Sequence, residues 1–415
     1  MRRILFVSRK FPRQVETASD GTFLRMRLFL DALTELAETI DILFYVDPGT
    51  DVSPTASRRT EDGLRSLWGI PSRVMLCPLA SSRPAPSFWS HYLKPAIRLF
   101  QPSLHPETSG AAQVKAFETA LDSKPDAVFV HRLDSIGPLL LSSRALPPVF
   151  LDIDDIDHVK FLREIRQPPV WPAKYLYYLQ APALCLWERR AVTRSQKAFV
   201  CSDLDRRYLR RWWGLTQVVT IPNAVAMPGD WGIDPSSRVL LFVASYAYAP
   251  NVVGAEFLIR KVWPSVRAAC PDAQLIIAGN SPERIPSFAS RPVGVEFTGF
   301  VSDLASLYRR ARIACAPIFS GGGTRLKILE AAAHGKAIVS TRIGAEGLEM
   351  RDGRDVLLRN GGGAFARACV ELLNDPRRCR DLGVAARDVV SRRWDRQHIV
   401  RRIKGEITEP TTSPG

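Results

Sequence analysis

The sequence predicts an α/β protein made of two tandem doubly wound domains with a cleft between them. Three observations carry this expectation. Short apolar runs rich in Val, Ile, Leu and Phe recur with helical patterns between them, as buried parallel strands joined by crossover helices require. A chain of 415 residues is longer than one hydrophobic core ordinarily organises, so two domains are expected. Between the two series of runs lies "MPGDWGIDPSS" (227–237), rich in Pro, Gly and Ser and poor in periodic apolar residues, which reads as a linker.

The first series is "RILFVS" (3–8), "IDILFYV" (40–46), "RVMLCPL" (73–79), "DAVFVH" (126–131), "VFLDIDD" (149–155), "KAFVCS" (197–202) and "VVTIPN" (218–223). The second is "RVLLFVAS" (238–245), "AQLIIAG" (273–279), "VEFTGF" (295–300), "IACAPI" (313–318), "AIVST" (337–341) and "DVLLRN" (355–360). Ligands of doubly wound sheets lie at the carboxyl ends of the strands, which here directs attention to the segments that follow these runs. The domain limits are then 1–226, a linker at 227–237, 238–390, and a closing segment 391–415 that ends in a polar tail.

Composition narrows the class. A hydrophobic content of 46% and a charged content of 24% are ordinary for a globular protein, so disorder is expected only in the terminal "TEPTTSPG". The formal net charge of +15 favours anionic partners: nucleic acid, an acidic membrane face or a phosphorylated substrate. Because no block of five or six like charges occurs, nucleic acid is not the expected partner. The seven cysteines are widely spaced and contain no C-x-x-C pair, which argues against a disulfide framework or a zinc site and fits a reduced cytosol. No stretch approaches the ~18 apolar residues of a spanning helix, so any membrane contact is expected to be peripheral. Two stretches mix Trp and Tyr with Lys or Arg, 87–100 and 170–190; each reads either as an interfacial segment on an anionic membrane or as domain core.

The most informative stretch is "PIFSGGGTRLKILEAAAHGKAIVST" (317–341). A glycine-rich turn feeding a helix aims unpaired N–H groups outward, and the helix dipole adds partial positive charge, so phosphate is the natural guest. Neither G-x-x-x-x-G-K-[ST] nor G-x-G-x-x-G is present. Gly323, Lys327, Glu330 and His334 share one helical face, offering a cation for phosphate and a carboxylate for hydroxyls. The alternative is an ordinary surface ion pair between Lys327 and Glu330.

Several blocks resemble one family: "VCSDLDRRYL" (200–209), the long stretch 240–282, "VEFTGFVSDLASLYRRARIACAPIFSGGGTRLKILEAAAHGKAIVSTRIGAEGLEMRDGRDVLL" (295–358) and 372–395. Together they are similar to the GT-B glycosyltransferases of family 4, retaining enzymes that use nucleotide-sugar donors. Within that family the start "SRKFP", followed by Gly21 to Arg25 at a helix start, resembles the exopolysaccharide-type sugar transferases. The resemblance implies two Rossmann-like domains, the first for acceptor and the second for donor, with the helix at 391–403 crossing back to the first. It also implies transfer of a sugar from a nucleotide sugar to a glycan or lipid-linked acceptor, no tightly bound cofactor or metal, no nucleic-acid partner, and a cytoplasmic location with peripheral contact on the inner face of the plasma membrane. A nucleotide-sugar epimerase of the same architecture is the enzymatic rival, and a basic nucleic-acid-binding protein the rival from another class.

Site residues follow from the same resemblance. Two glutamates separated by seven residues mark the family. Glu330 matches the second, a ribose contact, whereas the first falls on Gly322. Relatives also place cations after the first strand of the second domain, where this chain has "ASYAYAPN" (244–251), so Arg325 and Lys327 are the candidates for the missing charge. Gly21, Gly299, Val301, Gly321, Gly322, Gly323 and Thr324 complete the donor-binding set. His131 resembles the acceptor-side histidine and joins Arg325 and Lys327 as catalytic candidates, with Arg25, Asp152 and Asp154 on the acceptor side. Asp152 and Asp154 form a D-x-D, but no metal is expected there because the layout is not that of the single-domain transferases that use one.

Overall fold

The computed structural model describes residues 1–13, 15, 21–80, 105, 107–166, 172–320 and 325–409. All thirteen apolar runs form strands. In the first half these are β1 (Arg3–Ser8), β2 (Thr39–Val46), β3 (Ser72–Pro78), β4 (Ala127–His131), β5 (Val149–Asp154), β6 (Lys197–Val200) and β7 (Val218–Thr220). They pair in the order β3-β2-β1-β4-β5-β6-β7, parallel throughout. Burial explains the continuous apolar character: β1 is "ILFV" at 0–1% exposure, and β4 is buried at every position.

The second half repeats the plan with β8 (Val239–Val243), β9 (Gln274–Ala278), β10 (Val295–Gly299), β11 (Ile313–Ala316), β12 (Ala337–Ser340) and β13 (Leu357–Leu358), in the order β10-β9-β8-β11-β12-β13 and again parallel. Parallel neighbours need long crossovers, and helices supply most of them, β12 to β13 being joined by turns instead. In each sheet the order reverses once, between β1 and β4 and between β8 and β11. These switch points leave a crevice at the carboxyl ends, the usual ligand position of the architecture.

The chain divides into two compact units, Met1–Pro222 with Val400–Gly415, and Asn223–Ile399. The end of the helix Arg396–Thr408 is fixed in the first unit by ion pairs from Lys197 to Glu406 at 2.9 Å and from Lys404 to Glu35 at 2.5 Å. The segment 227–237 is packed on the second unit: Arg387 lies over the Trp231 ring at 4.5 Å and donates to the carbonyl of Pro228, while Arg312 donates to the carbonyls of Pro235 and Ser237.

One close approach positions the second switch point. In the helix Ala249–Phe257, Gly254 passes so near β11's continuation that an added Cβ would stand 2.5 Å from the carbonyl oxygen of Pro317. Only a residue without a side chain allows the helix to lie at that depth.

Candidate functional site

At the second switch point, Lys327 projects from the first turn of the helix Leu326–Ala333. Its ammonium donates to Asn251 Oδ1 at 2.6 Å and lies 4.9 Å from the ring centroid of Phe242 on β8. Asn251, from the first turn of Ala249–Phe257, in turn donates its amide to the carbonyl of Ser245 at 2.8 Å. Burial, then the positive charge of Arg325, push the Lys327 amine down to about 7, and burial pushes the Glu330 carboxyl up to about 7 against the attraction of Lys327. Both side chains are half-buried, and the ion pairs among the described residues do not include one between them. The arrangement is therefore not an exposed surface ion pair. It is a partly desolvated amine held by a neutral amide and an aromatic face, and such a group calls for an anion.

The remaining residues of that stretch separate. Arg325 is the residue immediately before the helix. His334 ends it, stacks on Tyr308 at 4.5 Å, and lines a cavity of about 270 Å³ with Trp231, Arg309 and Lys336 two turns from Lys327. Gly299 ends β10 at φ 67, a left-handed turn that leaves open space where a side chain would be, and the half-buried Val301 follows it. Gly321, Gly322, Gly323 and Thr324 lie outside the described residues, as does the segment 87–100.

At the carboxyl ends of the first sheet a second cluster is built around Arg25. This guanidinium has no side-chain exposure; Nε and Nη2 bind both oxygens of Asp152 at 2.7–3.0 Å, Nη1 donates to the carbonyl of Ile221 at 3.0 Å, and Asp154 stands at 3.4 Å. Asp152 is equally buried, so it and Arg25 satisfy each other rather than solvent. His131, paired in register with Asp152, is wholly buried; Ser8 Oγ lies 3.0 Å from Nδ1, and Nε2 is 3.9 Å from Asp152. Burial and then Arg132, Arg25 and Lys10 hold this imidazole well below its ordinary range, so it is neutral. Gly21 opens the helix Gly21–Thr34 and is exposed.

Arg132 follows β4 at φ 70, ψ 152, and Asp154 ends β5 at φ 66; their side chains pair at 2.9 Å. Two non-glycine residues in left-handed backbone at neighbouring strand ends mark a strained site. The D-x-D does not form a cation site, because Arg25 occupies both oxygens of Asp152. Asp154, Asp155 and Cys201 bring their ligand atoms within 4.8 Å of one another, yet two guanidinium groups already hold Asp154, and burial keeps the Cys201 thiol protonated as a donor to Asp155 at 3.2 Å. That donor set does not fit a divalent ion.

Comparison with known proteins bears first on the second unit. Residues 237–375 match the family model described as glycosyl transferases group 1. That match falls within the second unit, and the two-sheet architecture is that of GT-B proteins. The chain is 30% identical, over 230 residues, to phosphatidyl-myo-inositol mannosyltransferase of Mycobacterium leprae (strain TN), covering 52% of this chain and 59% of that protein. It is 24% identical over 172 residues to an uncharacterized 44.6 kDa protein in the cps region of Klebsiella pneumoniae, covering 40% of this chain and 44% of that one. The match therefore spans about half the length of these curated relatives. Sucrose-phosphate synthase from Thermosynechococcus elongatus superposes with a TM-score of 0.67 at 16% identity over 97% of both chains. Anabaena HepE in complex with UDP and glucose does so with 0.64 at 14% identity over 99% of this chain and 100% of that one. At such identities these structures establish the fold.

Three features escaped the sequence reading. Asn251 and Phe242 carry no charge and so gave no signal as partners of Lys327. The backbone strain at Arg132 and Asp154 has no sequence signature. Leu204 and Trp212, at 59% and 69% exposure, are apolar residues on the surface of the helix Asp203–Trp213, outside the stretches 87–100 and 170–190; Leu186, at 67%, lies within the second of these.

Proposed function

We propose that this protein is a retaining glycosyltransferase that moves a sugar from a nucleoside-diphosphate sugar to a glycan or lipid-linked acceptor. The observation that carries the reading is Lys327: a half-buried ammonium at the carboxyl end of the donor-type sheet, held by a neutral amide and a ring. Similar proteins support it, since one is a mannosyltransferase and another holds UDP and glucose. In this mechanism Lys327 and Arg325 offset the charge that grows on the departing diphosphate. Glu330 accepts hydrogen bonds from the ribose, a contact made mostly in the ground state. His131, buried and neutral, acts as a positioning residue, tying Ser8 of β1 to β4 beside the Arg25–Asp152 pair. Arg25, Asp152 and Asp154 shape the acceptor side by fixing the ends of β4 and β5. The nucleotide sugar is a co-substrate, and no resident cofactor or metal is invoked. An epimerase or a nucleic-acid-binding role has no comparable support.

The test is incubation of the full chain with a panel of nucleotide sugars, with and without glycan acceptors. Free nucleotide should appear only when acceptor is present, and the product's anomeric proton coupling should match that of the donor sugar. Inversion would refute retention; interconversion of nucleotide sugars without acceptor would favour the epimerase.

We extend the reading to a cytoplasmic protein in peripheral contact with anionic lipid. Its support is the exposed Leu186, Leu204 and Trp212 beside exposed Arg189, Arg190, Arg210 and Arg211 on the helices Ala181–Arg194 and Asp203–Trp213. Replacing Leu204 and Trp212 by Ala should reduce sedimentation with phosphatidylglycerol vesicles, and undiminished sedimentation would remove this patch from consideration.

A further inference from the structure

A charge meant for a ligand must be held in place without being cancelled. An acidic partner would orient Lys327 well but neutralise it before any diphosphate arrived. The structure offers the other solution. Asn251 is only 8% exposed, and its two ends are both engaged: the amide donates to Ser245's carbonyl at 2.8 Å while Oδ1 accepts from Lys327 at 2.6 Å. Turning the carboxamide over would set the NH2 group against the ammonium and leave Ser245 facing an oxygen, so its orientation is fixed by the hydrogen-bond pattern. The depth of the helix that carries it is set three residues on, where Gly254 lies against Pro317. The face of Phe242 closes the opposite side and attracts a cation without supplying a counter-charge.

We infer that Asn251 is the positioning residue of the donor site, a neutral acceptor that holds the Lys327 ammonium at the β8–β11 switch point and leaves its charge for the diphosphate. The inference rests on Lys327 being the diphosphate's counter-charge. It also explains how the chain functions without the cations that relatives place in the segment 244–251: that segment contributes an amide that aims a lysine from another helix, 76 residues away in sequence.

The inference makes a distinctive demand on pH. The charged groups acting on Lys327 are Arg325, just before its helix, and Glu330 on the helix itself; Ala249–Phe257 and β8 present the neutral Asn251 and Phe242. With the amine pushed down to about 7, it loses its proton within the neutral to mildly alkaline range, so wild-type affinity for a nucleoside diphosphate falls as pH rises there. An Asn251→Asp side chain has the same shape but adds a carboxylate, which keeps the lysine charged and cancels it.

The experiment uses the full chain and titrates UDP, GDP and ADP by calorimetry from about pH 6 to 9, carrying forward the tightest binder. Asn251→Asp should bind at least ~10-fold more weakly than wild type at pH 6, the scale of one lost charge-assisted contact. Its affinity should lose the decline between pH 6 and 9. Its thermal transition without nucleotide should be no lower than wild type, which separates a positioning role from a structural one. Asn251→Ala should weaken binding while keeping the pH decline. Wild-type affinity and an unchanged pH profile in Asn251→Asp would overturn the inference. The underlying reading fails separately: if Lys327→Met binds as wild type does, or if wild type binds none of the three nucleotides, Lys327 is not a diphosphate counter-charge at all.

Discussion

Replacing Lys327 with methionine should make the second unit more stable in the absence of nucleotide. Methionine keeps most of the apolar length of the side chain, so contact with Phe242 survives and only the ammonium and its bond to Asn251 are lost. In the folded protein the amine is pushed from 10.5 down to about 7. A base with a depressed folded value binds fewer protons folded than unfolded between those two values. The destabilisation is therefore absent above about 10.5, grows as pH falls, and is complete below about 7. At ~1.36 kcal/mol per pKa unit, its ceiling is about 4–5 kcal/mol. Two effects reduce the gain. Losing the hydrogen bond to Asn251 costs about 1 kcal/mol. Glu330, already raised to about 7, also loses the attraction of Lys327. A net stabilisation on the order of 1–3 kcal/mol should remain near neutral pH, shrinking toward pH ~10. Scanning calorimetry of the full chain at several pH values, following the transition of the second unit, measures it. Lower stability of Lys327→Met at pH ~6 would refute the reasoning, because it would mean that the protein needs this charge for folding rather than bearing it for a ligand.

Asp152→Ala should remove the bidentate carboxylate held by the wholly buried Arg25, leaving Asp154 at 3.4 Å as a poorer substitute, and cost about 3–5 kcal/mol. That predicts a fall of about 10 °C in the first unit's transition, and an unshifted transition would show that the pair is dispensable. His158 reports alkaline stability: despite burial, contacts with Cys185, Glu188 and Tyr208 raise it from 6.5 to about 11. A raised base stabilises fully below its unfolded value and loses that contribution as pH rises through its folded value, so denaturation curves of His158→Gln should lie below wild type at neutral pH and converge with it above about 11. Gly254→Ala should push the helix Ala249–Phe257 away from Pro317, costing about 1–3 kcal/mol and weakening nucleotide binding; a normal melting temperature with normal binding would show that the helix yields freely.

Much of the fold was legible from the chain. "RILFVS", "DAVFVH" and "QLIIA" each enclose an uninterrupted apolar stretch, and each proved to be a parallel strand of its sheet. The helix bearing Lys327 and Glu330 was legible for the same reason, since spacing along one helix is a local property. The residues expected on the acceptor side were legible as positions but not in their contacts. The sequence shows Arg25 and Asp152 as a cation and an acid, and nothing in it reveals that they consume each other across 127 residues.

The sequence by itself thus determined which segments are strands, that there are two sheets, and where a charged helix begins, because hydrophobic periodicity acts between near neighbours and survives in any context. Only the tertiary structure decided which charges are satisfied and which are left over. The sheet order brings β1 beside β4 and β8 beside β11, so the ends of strands far apart in sequence become adjacent. At one such junction Arg25 meets Asp152 and is neutralised; at the other, Lys327 meets the amide of Asn251 and keeps its charge. Desolvation makes that difference matter, since a half-buried ammonium without an anion is unstable in proportion to the water it has lost, and that loss is a property of the packed fold alone.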